Sequence, residues 1–216
     1  MSAPCLILAS ASPRRVELLR QLGLRFRVQA SAVPEVAAGH LAPREICLAN
    51  AAAKARAVAV ENPGCLVLGA DTEVALGTRV FGKPTSRREA REFLEILANR
   101  THQVITGVCL MCVSGRYRRS FAVTTDVTFQ PLTRKQIDAY LREVEPLDKA
   151  GAYAIQAGGE RIIESIDGSL TNVVGLPLGA LRTALAALPE ALRPDGSSFP
   201  GGSRKVSARH APGRRS

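Results

Sequence analysis

Apolar residues along this chain fall into two kinds of pattern, and the change between them predicts the architecture. In the first third, compact apolar runs alternate with stretches of helical spacing. Cys5-Leu6-Ile7-Leu8-Ala9 and Leu66-Val67-Leu68 have no polar partner face, so they predict short strands buried on both sides. After the first run, Ser12 is a favoured N-cap, Pro13 suits the first helical position, and Val16, Leu19 and Leu22 form a stripe ending at Gly23. That predicts a helix from Ser12 to Leu22. Phe26-Arg27-Val28 reads as a second strand, and Gln29 to Pro43 is aperiodic, with Pro34, Gly39 and Pro43, a long loop of the kind that covers a site. Arg44 to Glu61 is Ala-rich and predicts a helix punctuated by Lys54 and Arg56.

In the middle of the chain the period changes from 3.6 to 2. Thr72 to Phe81 predicts a hairpin turning at Gly77, followed by Gly82-Lys83-Pro84 and a helix from about Arg87 to Asn99. Val104 to Val113 and Arg116 to Gln130 predict two antiparallel strands; in the second, Phe121, Val123, Thr125, Val127 and Phe129 alternate with more polar neighbours. Thr133-Arg134-Lys135-Gln136 is a capping box opening a further helix. Beyond a polar loop at 145–151, Ala152 to Ile155 and Arg161 to Ile166 read as short strands, and Leu176 to Leu188 as the last helix. The expected fold is α/β: a mixed, twisted sheet flanked by helices, with two lobes around a central cleft.

Composition narrows the class. The 216 residues are 46% hydrophobic, enough for a substantial core. No run of eighteen apolar residues or secretory signal is visible, so a cytoplasmic location and no membrane partner are expected. Five cysteines, an odd number, argue against a disulfide framework and for reduced, buried thiols. Cys109 and Cys112 form a C-x-x-C, but inside a strand an offset of three puts them on opposite faces. The net charge of +10 points to an anionic partner; Pro189 to Ser216 holds six Lys/Arg against Glu190 and Asp195, so about +4 of it belongs to a Gly/Pro/Ser/Arg-rich segment that reads as a disordered tail. The chain therefore divides into a domain at 1–188 and a basic tail at 189–216. Aromatics make up only 4%, which supplies few stacking platforms, so nucleic acid is not the expected partner.

Two places could carry chemistry. Asp71 follows Leu66-Val67-Leu68-Gly69-Ala70 at the strand's expected carboxyl end, where open α/β sheets bind ligands, and a carboxylate there can act as a base or hold a metal. The alternative is an Asp that starts a turn. Arg14 and Arg15 stand in the first turn of a helix, against its dipole, at a cost of about 0.3–1 kcal/mol each. An anion would reverse that cost, and with Ser10 and Ser12 the turn would make a triphosphate cradle. Arginines pointing into water are the alternative.

Leu8-Ala9-Ser10-Ala11-Ser12-Pro13-Arg14-Arg15, Gly69-Ala70-Asp71-Thr72, Gly82-Lys83-Pro84, Asp148 to Gln156 and Asn172 to Leu178 occur in one order, and together they resemble the Maf family of nucleoside triphosphate pyrophosphatases over Cys5 to Leu188. The resemblance implies a Maf/inosine triphosphatase-like fold, a homodimer, and hydrolysis of a nucleoside triphosphate to the monophosphate and pyrophosphate with Mg²⁺ or Mn²⁺. It implies Asp71, Lys54 and Lys83 as catalytic residues and Ser10, Arg14, Arg15, Thr72 and Gln156 as substrate-binding ones. Arg14, Thr72 and Gln156 match the subgroup acting on dTTP and UTP, in a house-cleaning role, rather than the one acting on 7-methyl-GTP. Two departures concern the metal: Pro34-Glu35 stands where the family often has Asp-Glu, and Gly82 where it often has Glu, leaving Asp71 and Glu35 as ligands. A nucleotide-binding regulator of cell division without turnover is the competing class.

Overall fold

The computed structural model describes residues 5–36 and 41–194. The tail expected from 189 onward lies mostly outside these residues; of its start, Glu190–Leu192 forms a 3₁₀ turn and Leu192 packs into the core. The elements are β1 (Leu6–Ala9), α1 (Pro13–Arg20), β2 (Phe26–Val28), α2 (Pro43–Glu61), β3 (Leu66–Leu76), β4 (Arg79–Phe81), α3 (Arg87–Leu97), β5 (Thr101–Cys112), β6 (Tyr117–Phe129), α4 (Arg134–Glu143), β7 (Ile163–Asp167), α5 (Leu170–Val174) and α6 (Leu178–Ala186). Among the described residues no helix is long and apolar enough to cross a membrane.

The strands form one mixed seven-stranded sheet in the order β2-β1-β3-β5-β6-β7, with β4 paired to β3. β2, β1 and β3 are parallel, and every pairing beyond them is antiparallel. This is the expected α/β architecture, but the two lobes share one sheet. On one face, an apolar cluster from β1, β3, α1 and α6 and another from α3, α4, Phe81, Val104 and Phe129 occupy opposite ends of β3 and β5. On the other face lies α2, whose Ala51, Ala55 and Val58 cover Ile7, Val67 and Cys109.

Helix α2 comes closer to the sheet than side chains ordinarily permit, and two glycines make this possible. A Cβ at Gly69 would stand 2.2 Å from the carbonyl oxygen of Ala51, and one at Gly107 would stand 2.4 Å from that of Cys47. The alanine-rich sequence of α2 serves the same approach, since its small faces let helix and strand backbones pack.

Asp71 does not end its strand. β3 runs on to Leu76 because Val67 to Ala75 pair continuously with β5 on one edge. The opposite edge is interrupted: β1 pairs with Leu66 to Gly69, β4 with Val74 to Leu76. Among the described residues, Ala70, Asp71, Thr72 and Glu73 therefore have no strand beside them on that edge. This notch in an otherwise continuous sheet takes the place of the expected strand end, and the loops after β1 and β4 both leave beside it.

Three other expectations change. Ala152–Ile155 is not a strand: Gly151 and Ala152 both take positive φ (69° and 64°), and the Tyr140 hydroxyl bonds the Ala154 backbone where a neighbouring strand would. The last helix, expected at Leu176 to Leu188, is the slightly shorter α6, and a short helix that was not expected, α5, precedes it and ends at Gly175, whose φ is 123°. Cys5 and Cys65 form a disulfide, against the expectation of reduced thiols; they immediately precede the paired residues Leu6 and Leu66, which places them side by side. Cys47, Cys109 and Cys112 are free and buried, and Cys109 and Cys112 join clusters on opposite faces of the sheet.

Candidate active site

A cleft of about 760 Å³ opens at the notch. Each site residue named from sequence lines it: Ser10, Arg14 and Arg15 from the β1–α1 segment, Glu35 from the following loop, Lys54 from α2, Asp71 and Thr72 from β3, Lys83 beyond β4, and Gln156. Five cations and four carboxylates face it, counting Lys149, Glu73 and Asp148. Such a mixture can hold a polyanion together with a small cation.

The strand's alternation sorts these groups. Asp71 and Glu73 point toward α2, whereas Thr72 points to the opposite face. Asp71 is 4% exposed, and both its oxygens are engaged. Lys54 Nζ donates to Oδ1 at 2.6 Å and Asn50 Nδ2 to Oδ2 at 3.1 Å. Asn50 and Lys54 are one helical turn apart, so a single face of α2 supplies both partners. Lys54 also reaches Glu35 Oε1 at 2.7 Å, and Lys83 Nζ approaches the same oxygen at 3.6 Å. Burial pushes the Glu35 carboxyl up, but these two ammonium groups outweigh it and hold it below the ordinary range.

Glu73 is the member that sequence reasoning missed. Among the described residues its buried Oε2 has no hydrogen-bond partner, and burial together with the Asp71 and Glu35 charges pushes the carboxyl up to about 7. A Cβ at Gly82 would stand 4.0 Å from Oε2, so this carboxylate occupies space beside the position where a glutamate was found missing. The signal was available, because residues i and i+2 of a strand share a face.

On the phosphate-cradle side, Ser12 caps α1 by accepting from Arg15 N, as the sequence predicted. The two arginines then diverge. Arg14 pairs with Asp148 at 3.1 Å, and Lys149 pairs with the same carboxylate. Arg15 turns inward: Nε donates to the Gly175 carbonyl at 2.9 Å, Nη2 to Thr72 Oγ1 at 2.9 Å and Nη1 to Ser10 Oγ at 3.4 Å. Gln156 is exposed and lines the cleft, as does Tyr153, whose hydroxyl meets His102 Nε2 at 2.8 Å. Burial drives the His102 imidazole down to about 4, so it is neutral at ordinary pH.

A mixed sheet flanked by helices, with a cleft lined by cations and carboxylates at a break in one strand's pairing, defines the class as an α/β domain with a site built for a charged ligand. The family model described as "Maf-like protein" matches residues 5–188, and the chain belongs to that family. It is 48% identical over 174 residues to a dTTP/UTP pyrophosphatase of Myxococcus xanthus, covering 81% of this chain and 87% of that protein. Proteins of the same name from Akkermansia muciniphila and Bacillus anthracis are 45% and 44% identical, over 86% and 82% of this chain and 97% and 91% of theirs. A solved HAM1 protein from Coxiella burnetii aligns with a TM-score of 0.42 and 18% identity, over 58% of this chain and 73% of its own.

Proposed function

We propose that this protein is a nucleoside triphosphate pyrophosphatase that hydrolyses dTTP and UTP to the monophosphate and pyrophosphate, clearing unwanted nucleotides from the pool. The observation that carries this reading is the convergence of Asp71, Lys54, Lys83, Arg14 and Arg15 on one cleft, in a chain whose relatives bear that name. Arg14, Arg15 and Lys83 bind phosphate oxygens and offset the negative charge that gathers on them as the α–β linkage breaks. Water adds across that linkage, pyrophosphate leaves, and the proton passes to a carboxylate at the notch, Asp71 being the buried and fixed one. Lys54 pairs with Asp71 and holds it in place, and Asn50 fixes its second oxygen.

Among the described residues no three acidic, histidine or cysteine side chains stand close enough to hold a metal unaided. The donor set still fits a hard divalent ion that shares its ligands with substrate phosphates, because Asp71 and Glu35 face one space and the orphaned Glu73 Oε2 is beside them. Bound there, Mg²⁺ or Mn²⁺ would neutralise phosphate charge and polarise the linkage.

Gln156 can present both a donor and an acceptor to a pyrimidine edge, with Arg14 and Thr72 setting how the nucleotide lies. A wrong base leaves such groups unpaired, at roughly 1–3 kcal/mol for each buried one. Pyrophosphate release should therefore favour dTTP and UTP over ATP, GTP and 7-methyl-GTP by at least about tenfold in kcat/KM. Faster turnover of 7-methyl-GTP than of dTTP would overturn the base assignment. Tight binding without release of pyrophosphate from any nucleotide would instead favour a regulator.

A further inference from the structure

Thr72 and Thr106 are directly paired residues of β3 and β5, on the face of the sheet opposite Asp71. Their hydroxyl oxygens are 3.0 Å apart, and Thr106 Oγ1 is 3.1 Å from the carbonyl oxygen of Asn172. A carbonyl can only accept, so the single proton of Thr106 goes to Asn172. Thr106 must then accept from Thr72, whose proton is thereby spent as well. Thr72 Oγ1 is left to accept, and it accepts from Arg15 Nη2 at 2.9 Å. One backbone carbonyl thus sets the polarity of the whole relay.

The anchor does not wander. Asn172 is fully buried, and its Nδ2 donates to the Val104 carbonyl at 2.9 Å and to Thr125 Oγ1 at 3.0 Å. Asn172 belongs to α5, and the Gly175 carbonyl that ends α5 takes Arg15 Nε at 2.9 Å. The same short helix therefore fixes the guanidinium twice, once directly and once through the two threonines. With Ser10 taking a third N–H, two of the five guanidinium N–H groups remain, among the described residues, for a ligand.

We infer that Thr106 is a positioning residue that acts through Thr72 to aim the Arg15 guanidinium at a phosphate group, so that Thr72 influences substrate through Arg15 and not by touching the base. This rests on the proposed pyrophosphatase reading and adds a residue to it. A phosphate oxygen is common to all nucleoside triphosphates, so loss of the relay weakens every one of them alike. Thr106 is wholly buried, and replacing it with Val keeps its shape while removing the hydroxyl.

The test is a double-mutant cycle with Thr106→Val, Thr106→Ser and Arg15→Lys, read by thermal transition, by kcat and KM for dTTP, UTP and CTP, and by calorimetric binding of inorganic pyrophosphate. Thr106→Val should lower kcat/KM by about tenfold, equally for all three nucleotides, and weaken pyrophosphate binding by a similar factor. Thr106→Ser should restore both to within about twofold. In the Arg15→Lys background, where the fork is gone, Thr106→Val should cost less than twofold more. A changed dTTP-to-CTP ratio, additive losses in the Arg15→Lys background, or no loss at all would overturn the inference. If the parent binds pyrophosphate but turns over no nucleotide, the proposed activity fails while the binding arm still decides the relay. A parent that does neither refutes both.

Discussion

Glu73→Gln should make this protein more stable at neutral pH, by a margin that acid removes. Unfolded, Glu73 ionises near 4.5; folded, it does so only near 7. Its contribution to stability is therefore complete below about 4.5 and lost as the pH rises through about 7. His102 behaves in the opposite way, because burial lowers it from 6.5 to about 4. Its contribution is complete above 6.5 and lost as the pH falls through about 4. Each shift is worth about 3 kcal/mol, so across the shared window of about 4.5 to 6.5 the two nearly cancel and the parent should be almost flat. An uncharged isostere at 73 removes one arm. At pH 7.5 the variant should melt about 6–12 °C above the parent, and that advantage should disappear near pH 4.5 as the His102 arm acts alone. Glu35 and Asp148 are held below their ordinary range, so they act below this window and in both proteins alike. The assay is thermal unfolding from pH 4.5 to 8 in EDTA, which keeps divalent ions from favouring the ionised carboxylate. Parallel profiles for parent and variant would refute the account of Glu73.

Asp71→Asn should lower turnover by about 10²-fold or more while a cooperative melt persists, and steady-state activity within a few-fold of the parent would remove Asp71 from the chemistry. The two lysines should differ in kind. Lys54→Ala strands the buried Asp71 charge and should cost about 3–5 kcal/mol of stability as well as activity, whereas Lys83, whose side chain is 56% exposed, should lose activity with little change in Tm; equal thermal shifts would contradict this. Gly107→Ala pushes a methyl group into the Cys47 carbonyl and should displace α2, abolishing both fold and activity, so a native melt from that variant would show that the helix has room to move.

The chemistry of this site was more legible in the sequence than its wiring. Ser10, Arg14 and Lys83 stand next to strand and helix ends that short-range patterns reveal, and Asp71 directly follows the apolar run Leu66 to Ala70. Spacing along α2 does not choose between Lys54 and Arg56, because the contact with Asp71 depends on how closely α2 lies on the sheet, and the glycines that allow it are on other segments. β3 was read as two pieces, since Thr72 to Leu76 has the alternation of a hairpin arm and Leu66 to Leu68 that of a buried strand; it is one strand whose surroundings change along its length. The Cys5–Cys65 bond spans 60 residues and follows from the parallel register of β1 and β3, which cysteine parity does not report. Ala152 to Ile155 was misread because an apolar run says nothing about the sign of φ at Gly151 and Ala152.

The notch at Ala70 to Glu73 also separates rigidity from protection. β3 is held along nine consecutive residues by β5, from Val67 to Ala75, and is packed on both faces, so its position is as firmly set as anything in the molecule. In an extended strand successive amides point to alternate edges, and those between Gly69 and Val74 that point away from β5 meet no neighbouring strand among the described residues. Their hydrogens should exchange with solvent far faster than those on the β5 side of the same strand, without any local unfolding. A bound nucleotide that fills the cleft would slow them selectively. The backbone that carries Asp71 thus becomes a built-in reporter of occupancy, silent to the stability of the fold around it.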